Sequence, residues 1–275
     1  MSVLIIARAG AAMRSSGFPH RRGTGRLPRW TSYTAGPQSK AWSNAPHLPT
    51  GRCGEDHTGA VALPLPVATK PTSALPAGPH LSALGALPLA GATTPSLLVT
   101  STPDGQSGAL LLLRGAAAGV FDAATSTPTA PAPAALAIGD VTGDGLADAV
   151  LSHPESGLIS VLPGDGRGGF GAARTYAIPG GPGGPGALAL ADLDQDGRLD
   201  VIVAQGTGSA LAVLLQLAPS QDGSQLSLAA PLLLPACRSP SAVVSADLNR
   251  DGWTDLLTTC RDEDSVAVLL NSPAR

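Results

Sequence analysis

Lysine is nearly missing from this chain. Lys40 and Lys70 are the only two in 275 residues, and neither follows the glycine pattern of a phosphate-binding loop. Histidine is sparse where it would matter: four of the five precede residue 81, leaving His153 alone beyond that point. Zinc sites and triads built on convergent histidines therefore find no support, and His153 beside Pro154 reads as a turn residue. Three cysteines, Cys53, Cys237 and Cys260, are too few for a disulfide framework, and none lies in a CxxC. No apolar run is long enough to span a membrane. Aromatics (3%) and methionine (two residues) are scarce too, while Gly and Pro reach 34 and 26. That composition disfavours helix and suits short strands joined by turns.

Acid is absent from the first 54 residues, where basic side chains run from Arg8 to Arg52. The rest of the chain is acidic, and ten of the 20 Asp and Glu residues fall in three short loops. Acidity so local argues against nucleic acid as a partner. The head resembles an organellar transit peptide in being rich in Arg and Ser and free of acid; the other reading is a disordered or wrongly assigned start. Residues 62–84, with Leu63-Pro64-Leu65-Pro66 and then Pro71, Pro76 and Pro79, read as an extended linker.

The three acidic loops are copies of one unit. Asp192-Leu193-Asp194-Gln195-Asp196-Gly197-Arg198-Leu199-Asp200 places carboxylates at positions 1, 3, 5 and 9 around a glycine at position 6. Asp140–Asp148 and Asp247–Asp255 repeat it, with Thr142 and Asn249 at position 3, at spacings of 52 and 55 residues. Each is preceded by a small-apolar strand (134–138, 187–191, 242–246) and followed by a second (149–151, 201–204, 256–259). A third follows after a turn (158–162, 210–215, 266–270). A glycine turn ending in Phe170 leads to a fourth near 174–178. Four antiparallel strands in about 50 residues make one propeller blade. Counting back one period places strands at 87–91, 96–100 and 109–113, with Phe121 standing where Phe170 does. Thr93-Thr94-Pro95 occupies the loop position there, so that blade is expected to hold no metal.

Like charges this close call for a cation, and hard oxygens at alternate positions around a glycine turn suit Ca²⁺. The candidate ligands are the side chains of Asp140, Thr142, Asp144 and Asp148, of Asp192, Asp194, Asp196 and Asp200, and of Asp247, Asn249, Asp251 and Asp255. The position-7 carbonyls of Leu146, Arg198 and Trp253 complete the sets. The second loop, with four carboxylates, is expected to bind best, and the first, with a neutral Thr142, most weakly. Helix-flanked calcium loops need an acidic ligand at position 12; here that position is Leu151, Val203 and Thr258. Gly164–Gly169 formally matches G-x-G-x-x-G, but Phe170-Gly171 and Pro179 cannot open the helix that this fingerprint needs. Cys237 and Cys260 either pair or stay as thiols; hairpin register places Cys260 nearer Ala242 and favours thiols.

The pattern D-x-[DN]-x-D-G-x-x-D, met fully at 192–200 and 247–255, resembles that of the FG-GAP/VCBS repeat family, the calcium-loop propeller blades of integrin α-subunits and many bacterial surface proteins. The resemblance covers residues 85–275. It implies an all-β, propeller-type arc of about three and a half four-stranded blades, near 85–133, 134–184, 185–238 and an incomplete 239–275. Residues 1–84 form a disordered leader and linker. It implies a non-catalytic, extracellular or cell-surface module for interaction or adhesion, with structural calcium and a protein or glycan ligand. Self-association would complete the propeller. The alternatives are the non-catalytic part of a secreted lyase or phospholipase, or a truncated gene fragment.

Overall fold

The computed structural model describes residues 29–34, 79–89, 91–116, 120–180, 183–218 and 227–272. Sixteen strands form four antiparallel sheets of four. The first sheet is β2 (Leu81–Leu87), β3 (Ser96–Ser101), β4 (Gly108–Leu113) and β5 (Thr125–Thr129). The second is β6 (Ala135–Gly139), β7 (Asp148–His153), β8 (Leu158–Leu162) and β9 (Arg174–Ala177). The third is β10 (Pro185–Ala191), β11 (Asp200–Gln205), β12 (Ala210–Leu214) and β13 (Leu232–Pro235). The fourth takes β14 (Pro240–Ala246), β15 (Asp255–Cys260) and β16 (Ser265–Ser272) in order, and its outer strand is β1 (Arg29–Thr34). The protein is all-β and blade-like, as expected.

Sheets stack face to face in chain order. Leu98, Leu110 and Leu112 of the first meet Leu151 and Leu162 of the second. Val150, Ile159 and Val161 of the second meet Val201, Val203 and Leu214 of the third. Ile202, Leu211 and Val213 of the third meet Val243, Leu256 and Leu269 of the fourth. Because a middle strand is covered on both faces, β7 and β11 are buried at every position, and their centres, Ala149–Leu151 and Val201–Ala204, are apolar without alternation. Isolated bridges tie Gly115 to Phe121 and Gly164 to Phe170, placing the two phenylalanines at matching points.

The first strands of successive sheets lie side by side, which explains their Ala and Gly content. A Cβ on Gly139 would sit 2.8 Å from Leu190 Cδ1, and one on Gly85 would sit 2.5 Å from Ile138 Cδ1. Gly139→Val is therefore expected to cost about 1–3 kcal/mol through overpacking, read as a lower denaturation midpoint with an unchanged m-value.

Three expectations are corrected by the strands. The first strand of the first blade is Leu81–Leu87, ahead of the expected 87–91, and Pro88 and Leu89 lie beyond it. Leu81–Leu84 thus belong to the sheet rather than to an extended linker. Of the head expected to be disordered, residues 1–28 and 35–78 lie outside the described residues, while Arg29–Thr34 is strand. It pairs antiparallel with β16, from Arg29 opposite Ser272 to Thr34 opposite Ala267. The eight-residue β16 would otherwise present a row of unpaired N–H and C=O groups. The outer strand of the fourth blade thus comes from the head.

Cys237 and Cys260 are joined by a disulfide. The thiol reading assumed that Cys260 faces Ala242. A register shift between Pro240 and Ala242 instead sets Cys260 opposite Pro240, bringing it towards Cys237.

Candidate metal centre

Each acidic loop joins the first strand of a sheet to the second, β6 to β7, β10 to β11 and β14 to β15. Gly145, Gly197 and Gly252 at position 6 have φ of +82°, +85° and +85°, a left-handed turn that glycine makes without strain. Position 4 is left-handed as well, at Gly143, Gln195 and Arg250.

The carboxylates fold these loops by accepting backbone N–H groups. The position-1 aspartates Asp140, Asp192 and Asp247 accept from the position-6 glycines at 2.8, 2.9 and 3.0 Å. Asp144, Asp196 and Asp251 at position 5 accept from Leu146, Arg198 and Trp253 at 2.8, 2.9 and 2.9 Å. Position 9 reaches furthest. Asp148, Asp200 and Asp255 are fully buried. Their Oδ2 atoms accept the position-2 N–H of Val141, Leu193 and Leu248 at 2.9, 3.0 and 2.9 Å. Their Oδ1 atoms accept the N–H of Gly164, Gln216 and Asn271, each at 2.8 Å. Gly164 and Gln216 stand just beyond the third strand of their sheets, and Asn271 stands near the end of β16. Each position-9 carboxylate therefore fastens its loop to that strand.

The first sheet lacks the loop yet retains part of this fastening. Ser96 holds the position of Asp148, is buried, and its Oγ accepts the N–H of Gly115 at 3.2 Å. Sequence reasoning identified the carboxylates and missed Gly164, Gln216 and Asn271. Their signal was positional: each stands at or just past the end of the third strand of its repeat.

Only the second loop brings three carboxylates to one point among the described residues. Ligand atoms of Asp192, Asp194 and Asp200 lie within 4.8 Å of one another. Asp194 Oδ1 is buried and has no hydrogen-bond partner. Asp196 stands outside this trio and pairs with the guanidinium of Arg198. In the first loop, the Thr142 hydroxyl lies 3.5 Å from Asp140 Oδ1. In the third, Asn249 Nδ2 donates to Asp251 Oδ2 at 2.9 Å. Asp140, Asp144 and Asp148 do not converge as the second-loop trio does, and neither do Asp247, Asp251 and Asp255.

Burial and crowding raise the cost of ionising Asp200 and Asp194. Burial pushes Asp200 up to about 7, with Asp194 and Asp196 adding to the shift. Asp194 is raised by burial and then by Asp196 and Asp192. A divalent cation among them would reverse both effects. Oxygen donors only, one of them buried and unpartnered, fit a hard cation of the Ca²⁺ type, held by the Asp192, Asp194 and Asp200 carboxylates.

Four sheets stacked in series, with a carboxylate hairpin between the first two strands of three of them, define a propeller-type repeat protein. Residues 140–203 match the model of the FG-GAP-like repeat. No curated protein matches the sequence. Among solved structures, a chain in the Photorhabdus luminescens Tc holotoxin pore is similar over 71% of this chain at 20% identity, with a TM-score of 0.40. The aligned part is 9% of that chain's length.

His153 is a buried polar group away from the loops. It is fully buried, Nδ1 lies 2.9 Å from the Pro131 carbonyl, and Nε2 has no partner. Burial holds its pKa below the usual histidine value. A histidine that folds as the neutral form supports stability above its unfolded pKa of about 6.5. That support is lost as the pH falls towards the lower folded value, by up to about 1.4 kcal/mol per unit. Urea unfolding between pH 7.5 and 5.5 should show this slope, and it should flatten in His153→Leu.

Proposed function

We propose that this chain is a non-catalytic FG-GAP-type scaffold whose second acidic loop is closed by structural Ca²⁺, and that it works outside the cell as an interaction or adhesion module. The observation that carries this reading is the convergence of Asp192, Asp194 and Asp200 around the buried, unpartnered Asp194 Oδ1. Calcium there would neutralise the carboxylates and lock the hairpin, so that its binding free energy adds to folding free energy. The Cys237–Cys260 disulfide favours an oxidising compartment, where Ca²⁺ is abundant. Among the described residues no helix is long and apolar enough to cross a membrane.

A protein or glycan is the ligand class proposed, with self-association completing the ring of blades. The fourth sheet supports the second part. Its Val244 and Val266 are 58% and 45% exposed, on the face away from the third sheet. Val266 occupies the place that Leu211 holds in β12, where it is fully buried.

Calcium-free protein, prepared by chelation and dialysis, should melt lower than the same protein in 10 mM CaCl₂. With a dissociation constant of about 10⁻⁴–10⁻³ M, a site contributes about 1–3 kcal/mol at that concentration. Equal melting temperatures in both conditions would refute the calcium reading.

A further inference from the structure

Asp196 is the one carboxylate of the second loop that lies outside the trio, and a single residue takes both of its oxygens. Its Oδ1 accepts the N–H of Arg198 at 2.9 Å, and its Oδ2 pairs with the Arg198 guanidinium. Arg198 is steadied in turn, because its Nε donates to the Gln216 carbonyl at 3.3 Å. The N–H of Gln216 is held by Asp200 Oδ1 at 2.8 Å. The guanidinium therefore rests on the strand end that Asp200 fastens.

Asp196 nonetheless stands close to the trio. Its own N–H donates to Asp192 Oδ1 at 3.1 Å. Burial raises Asp194 and Asp200, and the charge of Asp196 adds to both shifts. The other two loops are built differently, since position 7 is Leu146 in the first and Trp253 in the third. Asp144 and Asp251 accept the backbone N–H of those residues, whose side chains carry no charge.

We propose that Arg198 sets the calcium affinity of the second loop by competing with the cation for the Asp196 carboxylate. This rests on the reading of that loop as a calcium site and involves no other loop. Ca²⁺ takes about six to eight oxygens, so three carboxylates leave room for a fourth. The same oxygens cannot serve the guanidinium and the ion, so Arg198 must release Asp196 before the fourth carboxylate is gained. The two side chains are 29% and 24% exposed, and an ion pair so open to water is worth up to about fivefold in an equilibrium constant. Arg198 is thus a positioning residue: its side chain acts on Asp196 and not on the ion.

Titration of the chelated full chain with CaCl₂, followed by calorimetry and by melting temperature, tests this. Salt at about 0.15 M screens surface charges that act only at a distance. Arg198→Met keeps much of the side-chain length and removes the charge. It should tighten Ca²⁺ about fivefold in the parent chain. In the Asp196→Asn background the same change should tighten it less than about twofold, because no carboxylate is left to release. Far-UV circular dichroism verifies that each variant folds, and Arg198→Gln stands in if Arg198→Met does not. Tightening that appears only while Asp196 is present supports the competition. Equal tightening in both backgrounds, or unchanged or weaker binding in Arg198→Met, overturns it and leaves the calcium reading standing. No calcium heat and no calcium-dependent melting, in the parent and in Arg198→Met alike, overturn both.

Discussion

Asp200→Ala should destabilise the protein by about 3–5 kcal/mol, and added calcium should not rescue it. The substitution leaves the N–H groups of Leu193 and Gln216 buried without their acceptor, and both bonds lie in fully buried surroundings. Each stranded donor costs about 1–3 kcal/mol, and the space vacated by the carboxyl adds to that. Asp194→Ala should behave in the opposite way. Its Oδ1 has no partner to lose, and burial together with neighbouring carboxylates already makes its charge costly. The metal-free Asp194→Ala protein should be as stable as the parent or slightly more so, while losing most of the calcium-dependent rise in melting temperature. Measuring both variants by urea unfolding, with calcium and with chelator, separates fastening from cation binding. Equal losses in the two variants would mean that position 9 has no fastening role of its own.

The second large effect lies in the fourth sheet. Replacing both Cys237 and Cys260 with serine removes a cross-link between residues 23 apart in sequence. The chain-entropy relation gives about 3 kcal/mol for a loop of that size. Reduction of the parent protein under non-denaturing conditions should lower the urea midpoint by a comparable amount. A loss well under 1 kcal/mol would show that the β14–β15 hairpin orders this segment without the bond. The effect should be independent of calcium, because the disulfide sits at the end of the hairpin remote from Asp247–Asp255.

Much of this architecture is legible in the sequence because the repeat spells itself out three times. Strands β7, β8, β11 and β12 follow from the short, mostly apolar runs 149–151, 158–162, 201–204 and 210–214, each leading to turn or loop residues. The carboxylate loops are equally plain, since only a hairpin with a left-handed glycine tolerates that spacing. Other elements were opaque for physical reasons. Trp30, Thr31, Tyr33 and Thr34 have good strand propensity, but what orders them is the open edge of β16, far along the chain. The β2 strand holds Gly85 and two exposed leucines, Leu81 and Leu84, so its apolar pattern is weak against that of Leu87-Pro88-Leu89. The disulfide depended on a register shift, and periodicity carries no information about one.

At the site, the sequence showed which groups are acidic but could not divide their work. Asp148, Asp200 and Asp255 read as ligands by spacing, and the structure adds that each also accepts backbone N–H groups with both oxygens. Ser96 makes the point from the other side. A blade without the carboxylate loop keeps a buried oxygen at that position and the same kind of bond to the far end of its third strand. The fastening therefore does not depend on the carboxylate loop.

The pairing of β1 with β16 also sets an order of events during synthesis. Residues 29–34 leave the ribosome well before Ala267–Ser272, their partners. At about 5–20 residues per second the wait is on the order of ten to fifty seconds. Over that interval the first three sheets can form and stack from the front, each closing on local contacts, while the earliest strand has nothing to pair with. Pairing of β1 with β16 therefore waits for a segment made much later, and it must close a long loop. A ribosome stalled before residue 265 would carry three finished blades and an idle strand.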